Sequence, residues 1–287
     1  MKFYIQDIPD RYPVFQYMAY RTDLKSHIVN SRYNITDVLN LRHTVDLDTL
    51  RENVLTLCQT TTPQGWLSAQ GRDKSYTGIS LVYNPNLQEP IDPNYQTLGT
   101  AYNNKDEFFW SSTEKVPHLK NSYFDTYSFR HVSPTITGVF RDFISSFNTT
   151  LIRSRIGIVD AAHTPMHIVD KQGWHRDESV FENLRINIPI TTDENCLFQI
   201  EGKDPEHLNY GHMYTWDTNI PHRVFANIVK PATRIHIVMG LSPWFTYNST
   251  DDSWSTNEFF GKKHPIDMLV DGDLCSLIKG TIETNHS

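Results

Sequence analysis

Cysteine is scarce in this chain, and the few cysteines lie far apart. Only three of the 287 residues are cysteines, at positions 58, 196 and 275, and no CxxC pair occurs. A disulfide framework or a thiolate zinc site needs paired or closely spaced cysteines. The sequence therefore argues against both as the organising feature of the fold.

Long apolar runs and clusters of positive charge are also missing. No stretch reaches the roughly 18 apolar residues of a membrane-spanning helix, and the first residues, MKFYIQDIPDRYP, lack the apolar segment of a signal peptide. The formal net charge is −7 and no Lys/Arg run occurs, whereas binding to nucleic-acid phosphates usually requires a basic patch. We therefore expect a cytoplasmic protein with neither a membrane nor a nucleic-acid partner. No feature indicates an oligomeric state.

What is present suits one globular domain. Hydrophobic residues make up 38% of the chain, and no repeat or flexible linker divides it. We expect residues 1–287 to form a single domain with three regions: a helical, loop-rich N-terminal region (1–150), a β-rich core (151–245) and a polar C-terminal tail (246–287). The sequence predicts no role for the tail.

Two helices are predicted in the N-terminal region, where they would brace a sheet. Residues 46–58 have apolar residues at helical spacing behind a capping aspartate. A second helix is predicted to open at Ser133-Pro134, with serine as cap and proline in the first turn. Residues 78–83 predict a short strand, and residues 86–133 predict loops that could cover a site as a lid.

From residue 151 onwards, short apolar segments alternate with turn residues, which is typical of an antiparallel sandwich or barrel. The predicted strands are Arg155–Val159, Leu184–Ile190, Cys196–Ile200, His212–Trp216, His222–Phe225 and Arg234–Gly240. In the second of them Arg185 and Asn187 alternate with isoleucines, and in the last Arg234 and His236 do so. Successive side chains of a strand point to opposite faces, so a polar pocket on one face is predicted.

The phrase GWHRDES places His175 and Asp177 two residues apart, on the same side of an extended segment. His222, on a later predicted strand, is the natural third ligand. Two histidines and one carboxylate bind one face of an octahedral ion and leave three positions open, the arrangement of non-haem iron(II) oxygenases. The open positions would take a 2-oxo acid and dioxygen.

A co-substrate with a second carboxylate needs a buried cation to pair with. Arginine suits this role because its planar fork can bind both oxygens. Arg234 is the first candidate for binding 2-oxoglutarate. Arg185 is the second, either for the co-substrate or for a carboxylate on the prime substrate.

Two other classes of protein fit part of this set. One is a β-barrel that binds a metal or ligand without turnover, as a sensor or degenerate oxygenase, although the complete set of His175, Asp177, His222 and Arg234 favours an enzyme. The other is a cupin-like enzyme that uses a different metal and no 2-oxoglutarate. Arg234 argues against this alternative, because such an enzyme would not need an arginine for the co-substrate.

Four phrases within about residues 153–240 resemble the aspartyl/asparaginyl β-hydroxylase-like family of iron(II)- and 2-oxoglutarate-dependent oxygenases, which includes enzymes that hydroxylate free proline. They are HRD (175–177), LRINIPITTDENCLF (184–198), YTWDTNIPHRVFAN (214–227) and TRIHIV (233–238). The resemblance implies a mainly β fold with flanking helices around a double-stranded β-helix, a cupin-like jelly roll.

The resemblance also implies individual roles. His175, Asp177 and His222 would hold iron(II), Arg234 would pair with the distal carboxylate of 2-oxoglutarate, and Arg185 would be a further arginine of the pocket. Asn187 departs from the family, which often has histidine at that position. The carboxylate of Asp177 completes the ligand set and argues against a halogenase.

The implied reaction oxidises 2-oxoglutarate with dioxygen to succinate and carbon dioxide and hydroxylates an unactivated carbon. The substrate could be a free amino acid, a small metabolite or an aspartyl/asparaginyl side chain of a peptide. Trp174 and Asn187 are candidates for substrate contacts, and Trp66 and Trp110 for lining the pocket, although an aromatic residue more often belongs to a core.

Overall fold

The fold is mainly β, with antiparallel sheets and a few helices, which is consistent with a β-sandwich. A computed structural model describes residues 2–4, 32–61, 63–68, 71–83, 130–160, 174–177, 179–226 and 233–285. Trp110 and residues 86–129 of the predicted loop segment lie outside them. Within these ranges no helix is long and apolar enough to cross a membrane.

The strands and helices follow one another along the whole described chain. In chain order the strands are β1 (Lys2–Tyr4), β2 (Thr36–Asn40), β3 (Gln64–Ser68), β4 (Gly71–Ser80), β5 (Val82–Tyr83), β6 (His131–Val132), β7 (Arg155–Asp160), β8 (Leu184–Thr191), β9 (Cys196–Ile200), β10 (Glu206–His207), β11 (His212–Thr215), β12 (His222–Ala226), β13 (Thr233–Leu241), β14 (Phe245–Asn248) and β15 (Ser253–Thr256). The α-helices are α1 (Leu47–Thr60), α2 (Gly138–Ser145), α3 (Pro265–Val270) and α4 (Ser276–Asn285).

The largest sheet has seven strands in the order β2-β11-β8-β13-β7-β4-β3, and a smaller one has the order β10-β9-β12. Further strands form the sheet β1-β15-β14 and the pair β5-β6. All six strands predicted after residue 151 are confirmed, with ends within one residue of the prediction. The strand predicted at residues 78–83 is divided between β4 and β5, which pair with different strands, β7 and β6.

One face of the seven-stranded sheet is apolar and forms the main core. Its central strands contribute buried isoleucines and a methionine, namely Ile79, Ile156, Ile186, Ile188, Ile190, Ile235, Ile237 and Met239. The helices cover this face, so the same core contains Leu50 and Val54 of α1 and Phe140 and Phe143 of α2. The expectation that α1 and α2 brace a sheet is confirmed.

Asp46 caps α1, as the sequence predicts, and its side chain accepts a hydrogen bond from the Thr49 N–H. The predicted start of α2 at Ser133-Pro134 is wrong, because the helix begins at Gly138 with Thr137 as its N-cap. Residues 133–136 instead form a turn closed by the Ile136 N–H and the Ser133 carbonyl. Gly138 then takes a φ of 58°, a left-handed conformation that glycine adopts without strain.

The C-terminal residues contain two strands and two helices that contribute to the main core. The buried side chains are Phe245, Trp254, Ile266, Met268, Leu269, Leu274, Cys275 and Ile278. His264 precedes α3 as its N-cap, and its Nδ1 accepts a hydrogen bond from the Ile266 N–H. The tail is therefore part of the folded domain.

This cap predicts a loss of stability in acid. Burial, assisted by the charge of Arg32, lowers the pKa of His264 from 6.5 to about 4. Between about pH 6.5 and pH 4, His264 is therefore protonated in the unfolded chain but neutral in the folded chain. The free energy of unfolding falls as the pH drops through this range. The full shift corresponds to about 3 kcal/mol.

We expect His264→Asn, which can still cap α3 but cannot titrate, to lose about 3 kcal/mol less than the unmodified protein between about pH 7 and pH 4. Urea unfolding at both pH values measures the difference. Equal losses in the two proteins would show that His264 does not titrate on unfolding.

Candidate metal centre

The side chains of His175, Asp177 and His222 meet at one point, with one potential ligand atom from each within 4.8 Å of the others. The backbone brings them together. His175 and His222 form an isolated antiparallel bridge, in which each N–H donates to the other's carbonyl at 3.0 Å. The Asp177 N–H donates to the carbonyl of Thr218 at 2.9 Å, which fixes the carboxylate beside the same loop.

A single carboxylate oxygen lies at the centre of this group. Oδ2 of Asp177 is 3.6 Å from Nε2 of His222 and 3.9 Å from Nε2 of His175. The two imidazole rings are 4.4 Å apart between centroids. Three donors of the types that divalent transition metals prefer thus converge from two segments of the chain.

His222 is oriented by its surroundings. It is 3% exposed, and its Nδ1 lies 2.9 Å from the Ile220 carbonyl. An Nδ1–H that donates to this carbonyl leaves the lone pair on Nε2, the nitrogen that faces Asp177. Phe198 stacks on the imidazole and Trp216 meets it edge-on, each with its ring centroid 5.8 Å away.

Asp177 pairs with a buried arginine. Nη1 of Arg185 is 3.0 Å from the same Oδ2 that faces the histidines. Burial alone would raise the pKa of the Asp177 carboxyl, but the charge of Arg185 and the contacts with His222 and His175 hold it well below its usual value. The carboxyl group is therefore ionised near neutral pH, as a metal ligand must be.

One side of the group is open to solvent. The His175 side chain is 51% exposed and that of Asp177 is 23% exposed, whereas His222 and Arg185 are buried. The site thus has an enclosed floor and an accessible rim.

A second buried cation lies on the same face of the seven-stranded sheet. Gly240 of β13 lies directly opposite Arg185 of β8, and directly opposed residues of an antiparallel pair point to the same face of the sheet. Arg234 and His236 lie on the same side of β13 as Gly240, and Asn187 lies on the same side of β8 as Arg185. These four polar side chains therefore share one face. All four polar side chains are buried. The polar face predicted from the sequence is therefore present as one continuous surface.

Arg234 contacts His236, since its Nη2 lies 2.6 Å from the Nδ1 of that ring. Burial and the charge of Arg234 lower the pKa of His236 well below its usual value, so the imidazole is neutral. Burial raises the pKa of the Cys196 thiol at the start of β9, and the charge of Arg234 opposes that rise.

Trp174 and Trp66 are the two tryptophans predicted for the substrate pocket that belong to described segments of the chain. Trp174 is 39% exposed, and its ring lies 4.7 Å from the guanidinium of Arg223. Arg223 follows His222 on β12, so its side chain points away from the metal centre. The structure therefore does not bring the Trp174 ring to the triad. Trp66 is part of β3, and its side chain lies outside the described residues.

Trp216 was not singled out by the sequence, yet it forms a wall of the site. It is buried, and its indole Nε1–H has no hydrogen-bond acceptor within the described parts of the chain. Its ring also packs on Phe198, with centroids 4.1 Å apart. The available signal was the position of Trp216 as the last residue of the predicted strand His212–Trp216.

Comparisons with known proteins give little further information. No family model matches the chain, and no curated protein matches it. Among solved structures it is similar to a prolyl hydroxylase in complex with a hypoxia inducible factor oxygen degradation domain peptide fragment from Trichoplax adhaerens, with 10% identity over 73% of this chain and 83% of that chain and a TM-score of 0.35. It is also similar to IDO from Bacillus thuringiensis, with 9% identity over 78% and 91% of the two chains and a TM-score of 0.32. Similarity at this level carries no argument about function, and membership of the aspartyl/asparaginyl β-hydroxylase-like family stays a prediction.

Proposed function

We propose that this protein is an iron(II)- and 2-oxoglutarate-dependent oxygenase with a double-stranded β-helix core. The observation that carries the proposal is the convergence of His175, Asp177 and His222 within 4.8 Å, on the polar side of a sheet that also carries buried Arg234. The convergence supports a metal centre, and the arginine supports an anionic co-substrate.

The three proposed ligands suit iron(II). Two imidazole nitrogens and one carboxylate oxygen can occupy one face of an octahedral ion. The remaining positions would face the exposed side of His175, where small molecules can enter. His222 is held on the opposite, buried side by the Ile220 carbonyl and the ring of Phe198.

Arg234 would bind the far end of the co-substrate, because it is a buried cation on the same polar face of the sheet as Arg185, which contacts Asp177. His236 remains neutral beside Arg234 and so adds no second charge to the pair.

The metal would supply the chemistry of dioxygen activation, and the chain would supply positioning. Arg234 would orient 2-oxoglutarate, and the ionised Asp177 and Nε2 of His222 would remain available as ligands. Phe198 and Trp216 would exclude water from the enclosed side, which limits wasteful oxidation. The substrate, a small molecule or peptide, would approach from the rim at His175.

Succinate formation tests this proposal. We expect the protein, supplied with iron(II), ascorbate, 2-oxoglutarate and air, to form succinate, and to add one oxygen atom to a substrate from a screen of amino acids and peptides. Mass spectrometry measures both products. Tight binding of iron without succinate formation under any screened condition would instead favour a metal-binding protein without turnover.

A further inference from the structure

We propose that Arg185 is a positioning residue for the metal ligand Asp177 and not an anchor for 2-oxoglutarate. This inference rests on the metal centre of the proposed function, but it does not require oxygenase turnover. It assigns different tasks to two arginines, Arg185 and Arg234, that share one polar face.

The contact is specific to one oxygen. Nη1 of Arg185 lies 3.0 Å from Oδ2 of Asp177, and that same Oδ2 is the oxygen directed at both histidines. A carboxylate oxygen has lone pairs for more than one partner, so Oδ2 can accept a hydrogen bond from the guanidinium and bind a metal at the same time. The pair therefore holds Asp177 in the rotamer that the metal centre needs.

Arg185 is buried, and its backbone is hydrogen-bonded within the sheet. Its side chain is 5% exposed, and the carbonyl of the same residue accepts a hydrogen bond from the Thr215 hydroxyl at 2.8 Å. Opposite it on β13 is Gly240, where a Cβ would lie 2.1 Å from the Ile152 carbonyl oxygen. The neighbouring strand thus offers no side chain at this position, and the buried guanidinium reaches Asp177.

The backbone hydrogen bonds of the segment 174–177 position the main chain of Asp177 but do not select the rotamer of its carboxylate. The carboxylate is 23% exposed, and the segment 174–177 is joined to the fold by the His175–His222 bridge and by the hydrogen bond to Thr218. Partners that orient a metal ligand typically change metal affinity or activity by about 10–100-fold when they are removed. Substitution of Arg185 should therefore lower the affinity for the metal.

The test separates metal affinity from co-substrate affinity. Manganese(II) is titrated into the metal-free protein by calorimetry, and 2-oxoglutarate is then titrated into the manganese-saturated protein. For Arg185→Gln we expect manganese affinity to fall by about 10–100-fold, with little change in 2-oxoglutarate affinity. Arg185→Lys, which keeps the charge, should recover part of the loss. Arg234→Gln is the matched control, since it should weaken 2-oxoglutarate and leave manganese binding unchanged.

A double-mutant cycle with Asp177→Asn excludes a merely structural role. Because Arg185 acts through the carboxylate, Arg185→Gln should weaken manganese binding far less in the Asp177→Asn background than in the unmodified protein. Unchanged manganese affinity in both Arg185 variants, or weaker 2-oxoglutarate binding alone, would overturn the proposal. If the unmodified protein binds manganese but no 2-oxoglutarate, the proposed function fails while the manganese titrations still decide the role of Arg185.

Discussion

His222→Ala is expected to abolish succinate formation and to weaken binding of a divalent metal by about 100-fold or more, beyond the usual effect of losing a supporting residue. His222 is the buried member of the triad, and its Nε2 faces the carboxylate of Asp177. Alanine removes this nitrogen and leaves two donors that cannot complete one face of an octahedron. The backbone bridge to His175 uses main-chain atoms, so it does not depend on the imidazole.

The measurements are manganese(II) titration and succinate yield, with circular dichroism to confirm folding. His212→Ala is the matched control, because His212 also belongs to a strand of the fold but pairs with Asp37 at 2.8 Å, away from the triad. We expect this control to retain metal binding and turnover. Normal succinate formation by His222→Ala would refute the assignment of His222 as a ligand.

Arg234→Gln is expected to weaken 2-oxoglutarate binding by about 10–100-fold, because hydrogen bonds to a charged group contribute about 1.5–3 kcal/mol. Arg234 is 7% exposed, and glutamine in its place leaves the distal carboxylate without a counter-charge. The metal ligands are untouched, so manganese affinity should stay within about twofold of the unmodified value.

The control ligand for Arg234 is 2-oxobutyrate, which has the same 2-oxo acid end but no second carboxylate. The unmodified protein should prefer 2-oxoglutarate strongly, and Arg234→Gln should lose most of that preference. A variant that still discriminates between the two acids as the unmodified protein does would show that another residue binds the distal carboxylate.

The strands that carry the site could be predicted because each has a simple alternation. On β8, isoleucines alternate with Arg185 and Asn187, so one face must enter the apolar core and the other must form a polar surface. The spacing of His175 and Asp177 and the separate strand of His222 were sufficient to predict that these three side chains meet.

The two C-terminal strands escaped prediction because they are short. Strands β14 and β15 have four residues each, too few for an alternation to stand out, and Trp254 is a single large side chain in a polar stretch. The start of α2 was misplaced for a different reason. Ser133-Pro134 matches a helix start locally, but a turn there and the left-handed backbone at Gly138 delay the helix.

The partner of Arg185 could not be predicted either. Alternation on β8 fixes the face to which Arg185 points, but not whether its guanidinium reaches a ligand of the metal or an anion in the pocket. That choice depends on how the segment 174–177 approaches β8, which is a long-range contact set by the bridge to β12. A pattern within one strand contains no such information.

The reciprocal hydrogen bonds between His175 and His222 have a thermodynamic consequence. They preorganise two ligands from distant parts of the chain before any metal arrives, and a further backbone hydrogen bond, to Thr218, restrains Asp177. A metal that binds here pays little conformational entropy. Its effect on unfolding should then follow simple mass action, growing with the logarithm of free metal concentration. Such a protein would stay folded when stripped of metal, unlike small domains whose folding is driven by the ion itself.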